Sequence, residues 1–156
     1  MYKYERVLSN SPTSRYRAQH EEIIRLIGEF REIMPQIDDS ETLGECRVML
    51  LILTRKLAMH LSLEDQYLYP RLISQPDTSL REAAITFRKE ICGMRDNAER
   101  WADQWSPPDA IRLDPDRFRT ETDALFAQLN AWIRREETQL YPMIDEAGWS
   151  AVTGVA

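Results

Sequence analysis

Along four stretches of the chain apolar residues recur at three- and four-residue steps, and nowhere do they alternate with polar residues for long enough to mark a strand. The first stretch follows the capping cluster Ser11-Pro12-Thr13-Ser14 and carries Tyr16, His20, Ile24, Ile27, Phe30 and Met34 on one face until Pro35. The second begins after Asp38-Asp39-Ser40, where Ser40, Glu41 and Thr42 suit a helix start; its stripe is Cys46, Leu50, Leu53, Leu57, His60, Glu64 and Leu68. The third follows Pro76-Asp77-Thr78-Ser79, with Glu82 three residues after Ser79 as in a capping box, and shows Leu80, Ala84, Phe87, Ile91, Met94, Ala98, Trp101 and Trp105. Pro107 and Pro108 break that pattern. The fourth starts at about Asp114-Pro115 and runs through Phe118, Thr122, Leu125, Leu129, Trp132, Glu136 and Leu140.

Four amphipathic helices joined by short links predict an all-α fold, an antiparallel up-down-up-down four-helix bundle. One domain is expected over residues 1–156, with its helical core at about 15–146. Periodicity ends near Gly148, beyond which Trp149 is the side chain suited to docking on the bundle.

The helices repeat. Glu64-Asp65-Gln66-Tyr67-Leu68-Tyr69-Pro70 lines up with Glu136-Glu137-Thr138-Gln139-Leu140-Tyr141-Pro142 at an offset of 72, and Leu53 and Leu57 meet Leu125 and Leu129 at the same offset. The second and fourth helices are therefore equivalents. Sliding the first helix onto the third by 67 places His20 on Phe87, Ile24 on Ile91 and Ile27 on Met94, so two helical hairpins build the bundle.

Composition narrows the function classes. The net charge of -6 and pI near 5.0 exclude a nucleic-acid surface, which needs clustered Lys and Arg. The longest apolar run, Val48 to Leu53, falls far short of the roughly 20 residues of a membrane-spanning helix. The N-terminus lacks the apolar stretch of a secretory signal, so a cytoplasmic protein is expected. Two cysteines cannot build a disulfide framework; Cys46 and Cys92 are both expected to be buried small hydrophobes in a reducing compartment.

The chain has two histidines, and both fall on the apolar stripe of a helix. His60 and Glu64, four residues apart, project from one helical face and can ligate a single ion. Glu136 faces inward from the repeat-related helix and His20 from the first, which completes a candidate set of two imidazoles and two carboxylates. Such donors suit iron, manganese or zinc. A carboxylate in an apolar interior must be protonated, hydrogen-bonded or metal-bound. The competing reading puts Glu64 and Glu136 at a bundle end, reaching water or accepting hydrogen bonds from Tyr67 or Tyr141.

With His20 on a first helix, His60-x-x-x-Glu64-Asp65-x-x-Leu68-Tyr69-Pro70 on the second and Glu136-Glu137-x-x-Leu140-Tyr141-Pro142 on the fourth, the chain resembles the hemerythrin-like, or HHE cation-binding, domain. The resemblance spans roughly residues 15 to 146. It implies a four-helix bundle around a non-haem di-iron centre that serves dioxygen binding, sensing or metal storage. In that family a histidine stands four residues before the fourth-helix acid, where this chain has Trp132, and another on the third helix, where the repeat-matched residue is Phe87. Both aromatics exceed imidazole in size and cannot ligate, so they are expected to fill the volume of a second metal. His20, His60, Glu64 and Glu136 remain for one ion, with Glu90 and Glu121 as flanking candidates.

The expected function is a non-haem metal-binding protein with a mononuclear, iron-type site, acting as an oxygen, redox or metal sensor or binding module. Metal and dioxygen are its expected ligands, with a protein partner or homodimer as a further expectation. The alternative is a metal-free scaffold or regulatory interaction module, in which Glu64 has a raised pKa. Catalysis is not expected: the chain contains no Glu-x-x-His pair of the di-iron oxidase kind, and Cys46 lies 14 residues, about 21 Å of helix, from His60. Trp101, Trp105 and Trp149 are expected in the core, with a contact surface as the other reading.

Overall fold

The computed structural model describes residues 11–148, and among these there is no strand. Helix α1 spans Ser14–Ile33 and ends in a tight turn, Met34–Gln36, that contains Pro35. Helix α2 spans Ser40–Leu63, passes through a π-helical turn at Glu64–Leu68 and continues over Tyr69–Ile73. Helix α3 is Thr78–Trp105. A short helical turn, Ala110–Leu113, leads into α4, Pro115–Arg135, which also passes through a π-helical turn, Glu136–Leu140, and continues over Tyr141–Ala147. Gly148, at φ +81°, ends it in a conformation that favours glycine.

Three of the four starts are capped by aspartates. Asp39 accepts from the Thr42 amide, Asp77 from Leu80 and Asp114 from Arg117, each quenching a backbone N–H that the first turn leaves unpaired. The capping box expected at Ser79 and Glu82 does not form; α3 starts earlier, and Asp77 caps it with a carboxylate that also complements the helix dipole. Helix α1 has no side-chain cap of its own. Thr13, just before it, donates its hydroxyl to Asp145 at 2.9 Å and ties the start of α1 to the end of α4. At the opposite end Arg119 donates to the Met34 carbonyl and so joins α4 to the turn after α1.

Each long helix packs on its two neighbours, α1 on α2 and α4, α3 on α2 and α4, as an antiparallel bundle requires. The stripes expected of α2, α3 and α4 are buried throughout. In α1 the stripe shifts at one position: Ile23 is buried and Ile24 is 44% exposed. Both residues lie a helical step from His20, and the bundle axis selects the three-residue step. Trp101 and Trp105 belong to the core with Phe30, Phe118 and Phe126; their indole N–H groups donate to Thr122 and Glu121. Trp149 lies outside the described residues. Cys46 is buried, which pushes its thiol up to about 12, but Cys92 is exposed, contrary to expectation, because it lies on the solvent side of α3 beside the buried Ile91.

Candidate metal centre

The site is built by the two π-helical turns. Proline at 70 and at 142 lacks an N–H, and its ring crowds the carbonyl four residues earlier, so an α-helix cannot run through it undisturbed. Both helices widen just upstream, where Tyr69 N–H bonds to the Glu64 carbonyl and Tyr141 N–H to the Glu136 carbonyl, each five residues back. One extra residue in the turn brings the fifth residue onward to the face where the fourth would stand. Glu64 and Tyr69 therefore both face the interior, as do Glu136 and Tyr141, and all four are completely buried.

His20, His60, Glu64 and Glu136 converge, each offering one ligand atom, with those atoms all within 4.8 Å of one another. His60 Nε2 lies 2.8 Å from Glu64 Oε1, and His20 Nε2 lies 3.1 Å from Glu136 Oε1 and 3.9 Å from Glu64 Oε1. The reading that sends the glutamates to water at a bundle end is ruled out, since neither is exposed at all. Instead the two tyrosines cross. Tyr69 donates to Glu136 Oε2 at 2.6 Å, and Tyr141 donates to Glu64 Oε1 at 2.5 Å. Tyr67, offered as a phenol donor by α-helical spacing, is 51% exposed and takes no part.

Outer residues set which imidazole nitrogen faces the centre. His60 Nδ1 donates to the Gln19 amide oxygen at 2.7 Å, and His20 Nδ1 donates to the Glu137 carboxylate at 3.3 Å. A ring whose Nδ1 carries the proton turns an Nε2 lone pair inward, the arrangement metal-binding histidines use. His60 Nε2 and Glu64 Oε2 are buried without any hydrogen-bond partner; His60 Nε2 is close to Glu64 Oε1 but not aligned with it as a hydrogen bond. Buried, unpaired donor atoms aimed at one point are costly unless something electropositive lies between them, and two neutral nitrogens with two carboxylates fit a divalent ion of the iron, manganese or zinc kind.

Protonation follows the same geometry. Burial lowers the pKa of His20, which keeps the ring neutral and able to ligate. Burial and then the charge of Glu64 push Glu136 well up, so Glu136 is the proton carrier of the pair. Burial resists ionisation of Glu64 too, but in the metal-free centre the positive charge His60 can carry and the hydrogen bond Glu64 shares with Glu136 outweigh it, and the Glu64 carboxyl is held down at about 2. The raised group is thus Glu136 and not Glu64, reversing the assignment expected for a metal-free bundle. Tyr69 and Tyr141 are shifted upward by burial and by the two carboxylates, and remain donors.

Beside the two histidines the cluster is bounded by carbon. Trp132 meets both imidazoles edge-on, 5.7 Å from His20 and 5.8 Å from His60 between ring centres, and is 3% exposed. Its indole N–H is buried without a partner. Phe87 is buried under the Arg135 guanidinium, 5.0 Å from its ring centre. Glu90 pairs with Arg135, and Glu121 binds Arg117 and the Trp105 indole, so neither flanking carboxylate joins the cluster.

A family model for the hemerythrin HHE cation binding domain matches residues 11–144 of this chain. The chain belongs to the hemerythrin HHE family. Comparison with curated proteins and with solved structures gives no match. Within this hemerythrin domain the outer residues Gln19, Glu137 and Tyr69 were not visible to stripe analysis. The repeat held a signal for two of them. Tyr69 is the counterpart of Tyr141, whereas Tyr67 matches Gln139; Glu137 matches Asp65, which instead pairs with Arg88 and Arg95. Gln19 carried no signal, being a polar residue one step off the α1 stripe.

Proposed function

We propose that this hemerythrin-family chain is a mononuclear non-haem metal-binding protein, in which His20, His60, Glu64 and Glu136 hold one iron-type ion and the protein acts as an oxygen, redox or metal sensor or binding module rather than as an enzyme. The observation that supports it most directly is the pair of inward Nε2 atoms, held there by Gln19 and Glu137 and facing two carboxylates. An iron ion held by these four residues would supply one-electron redox chemistry and the capacity to bind a small neutral molecule such as dioxygen. The residues do the rest. Gln19 and Glu137 orient the rings, Tyr69 and Tyr141 hold the carboxylates, and Trp132 limits the site to a single ion. A cavity of about 280 Å³ among α2, α3 and α4 is lined in part by Leu57, Leu61 and Leu129, and Leu61 is the chain neighbour of His60.

One observation favours a second reading. Both carboxylates already accept phenol hydrogen bonds and Glu136 is a proton carrier, so each carboxylate is partly satisfied without a cation, as a scaffold or interaction module requires. Elemental analysis decides between the two. Protein expressed with added iron, manganese and zinc and purified without chelator is expected to carry one metal per chain, lost in His60→Ala. No metal in the parent would leave the scaffold reading; two per chain would overturn the mononuclear site.

A further inference from the structure

Helix α2 differs from its three companions in having apolar residues on two opposite faces. Its inner face is core, from Cys46 to Leu61. Its outer face carries Val48 at 58% exposure, Leu51 at 50%, Ile52 at 39% and Met59 at 56%, on a stretch of helix that no other element covers among the described residues. A helix apolar all round belongs against something on each side. The outward residues Glu41, Glu45, Val48, Ile52, Arg55, Met59 and Ser62 follow steps of four and three, the spacing of a coiled-coil seam, and all are exposed.

The charges on this seam say what covers it. Glu45 and Arg55 bracket Val48, Leu51 and Ile52, with Met59 outside them, and among the described residues neither has an ion-pair partner. If a second α2 lies antiparallel along the first with the two-fold axis at Leu50, each residue meets the one whose number brings their sum to 100. Val48 then faces Ile52, Ile52 faces Val48, and Glu45 faces Arg55 at both ends. Two apolar layers are closed by two reciprocal ion pairs, with Met59 lying along the stem of Glu41 beyond each, a self-complementary pattern that an isologous contact demands and an unrelated partner does not. We infer that the outer face of α2 is the contact by which two copies of this chain form an antiparallel, two-fold dimer. This holds whether or not the centre carries metal.

Sedimentation equilibrium on the full chain tests it through the charges. Wild type is expected to dimerise. Glu45→Arg alone and Arg55→Glu alone, both surface changes that circular dichroism should find fully helical, each set like charges against one another and are expected to weaken the dimer by at least about tenfold in Kd. Mixing the two variants in equal amounts restores both opposite-charge contacts, and a dimer with one chain of each is expected. A monomeric wild type at every concentration reached, a dimer indifferent to the reversals, or variants that fail to recover on mixing would each overturn the proposal.

Discussion

Tyr69 and Glu136 lie on different helical hairpins, and a 2.6 Å hydrogen bond joins them across the centre of the bundle; the repeat-related Tyr141 returns the bond to Glu64. Each hairpin thus supplies the phenol that satisfies the other hairpin's buried carboxylate. Removing one donor leaves a buried acceptor short of a partner, which costs about 1–3 kcal/mol. Tyr69→Phe and Tyr141→Phe are expected to lower urea stability of the metal-free protein by that amount, and Tyr67→Phe by less than about 0.5 kcal/mol. Equal effects at 67 and 69 would mean the crossed bond is not made.

The pH dependence of the metal-free protein follows from two opposed groups. Glu136 has its pKa raised in the fold, so its contribution is fully present below its ordinary carboxylate range and is lost as pH rises toward the folded value. His20 is lowered, so its contribution is present above about 6.5 and is lost as pH falls below that. The two oppose each other between about pH 4.5 and 6.5. Above about pH 7 the His20 contribution is complete, and up to the raised Glu136 value stability should fall with pH by up to about 1.4 kcal/mol per unit. Chemical denaturation of wild type and Glu136→Gln across pH 6 to 9 checks this: the variant should lose the slope.

Metal binding must displace the Glu136 proton, so affinity should rise with pH and proton release should accompany binding. Calorimetry of ferrous or zinc ion in two buffers of different ionisation enthalpy reads the protons directly. Thermal stability should also increase, by about 2.7 kcal/mol when free metal is a hundred times Kd, and this gain should vanish in His20→Ala. An unchanged gain in that variant would place the ion elsewhere.

Trp132 and Phe87 stand where the resemblance to the family places its further histidines. Restoring imidazoles with Trp132→His and Phe87→His is expected to raise metal content from one to two ions per chain, at a cost in stability of the metal-free form, because two large buried side chains give way to smaller polar ones. A stoichiometry that stays at one in a folded double variant would show that volume is not what limits the site.

The helices, their order and the inward direction of His20, His60, Glu64 and Glu136 were all present in the sequence, because burial on a straight α-helix repeats every three to four residues and a polar residue on that stripe has nowhere else to point. The family was legible as well, through the doubled Glu-acid-x-x-Leu-Tyr-Pro ending. Tertiary structure decided the remainder. Whether Ile23 or Ile24 lay inside depended on the bundle axis, since both are helical neighbours of His20. Tyr69 replaced Tyr67 because Pro70 forces a π-helical turn, and α-helical spacing miscounts across it. Which glutamate keeps the proton depended on the fold bringing Glu136 beside Glu64, 72 residues away in the chain, while Glu64 already had His60 four residues before it. Local periodicity carries the direction of a side chain, whereas its partners, its protonation and the room around it are properties of what the other helices bring to the same point.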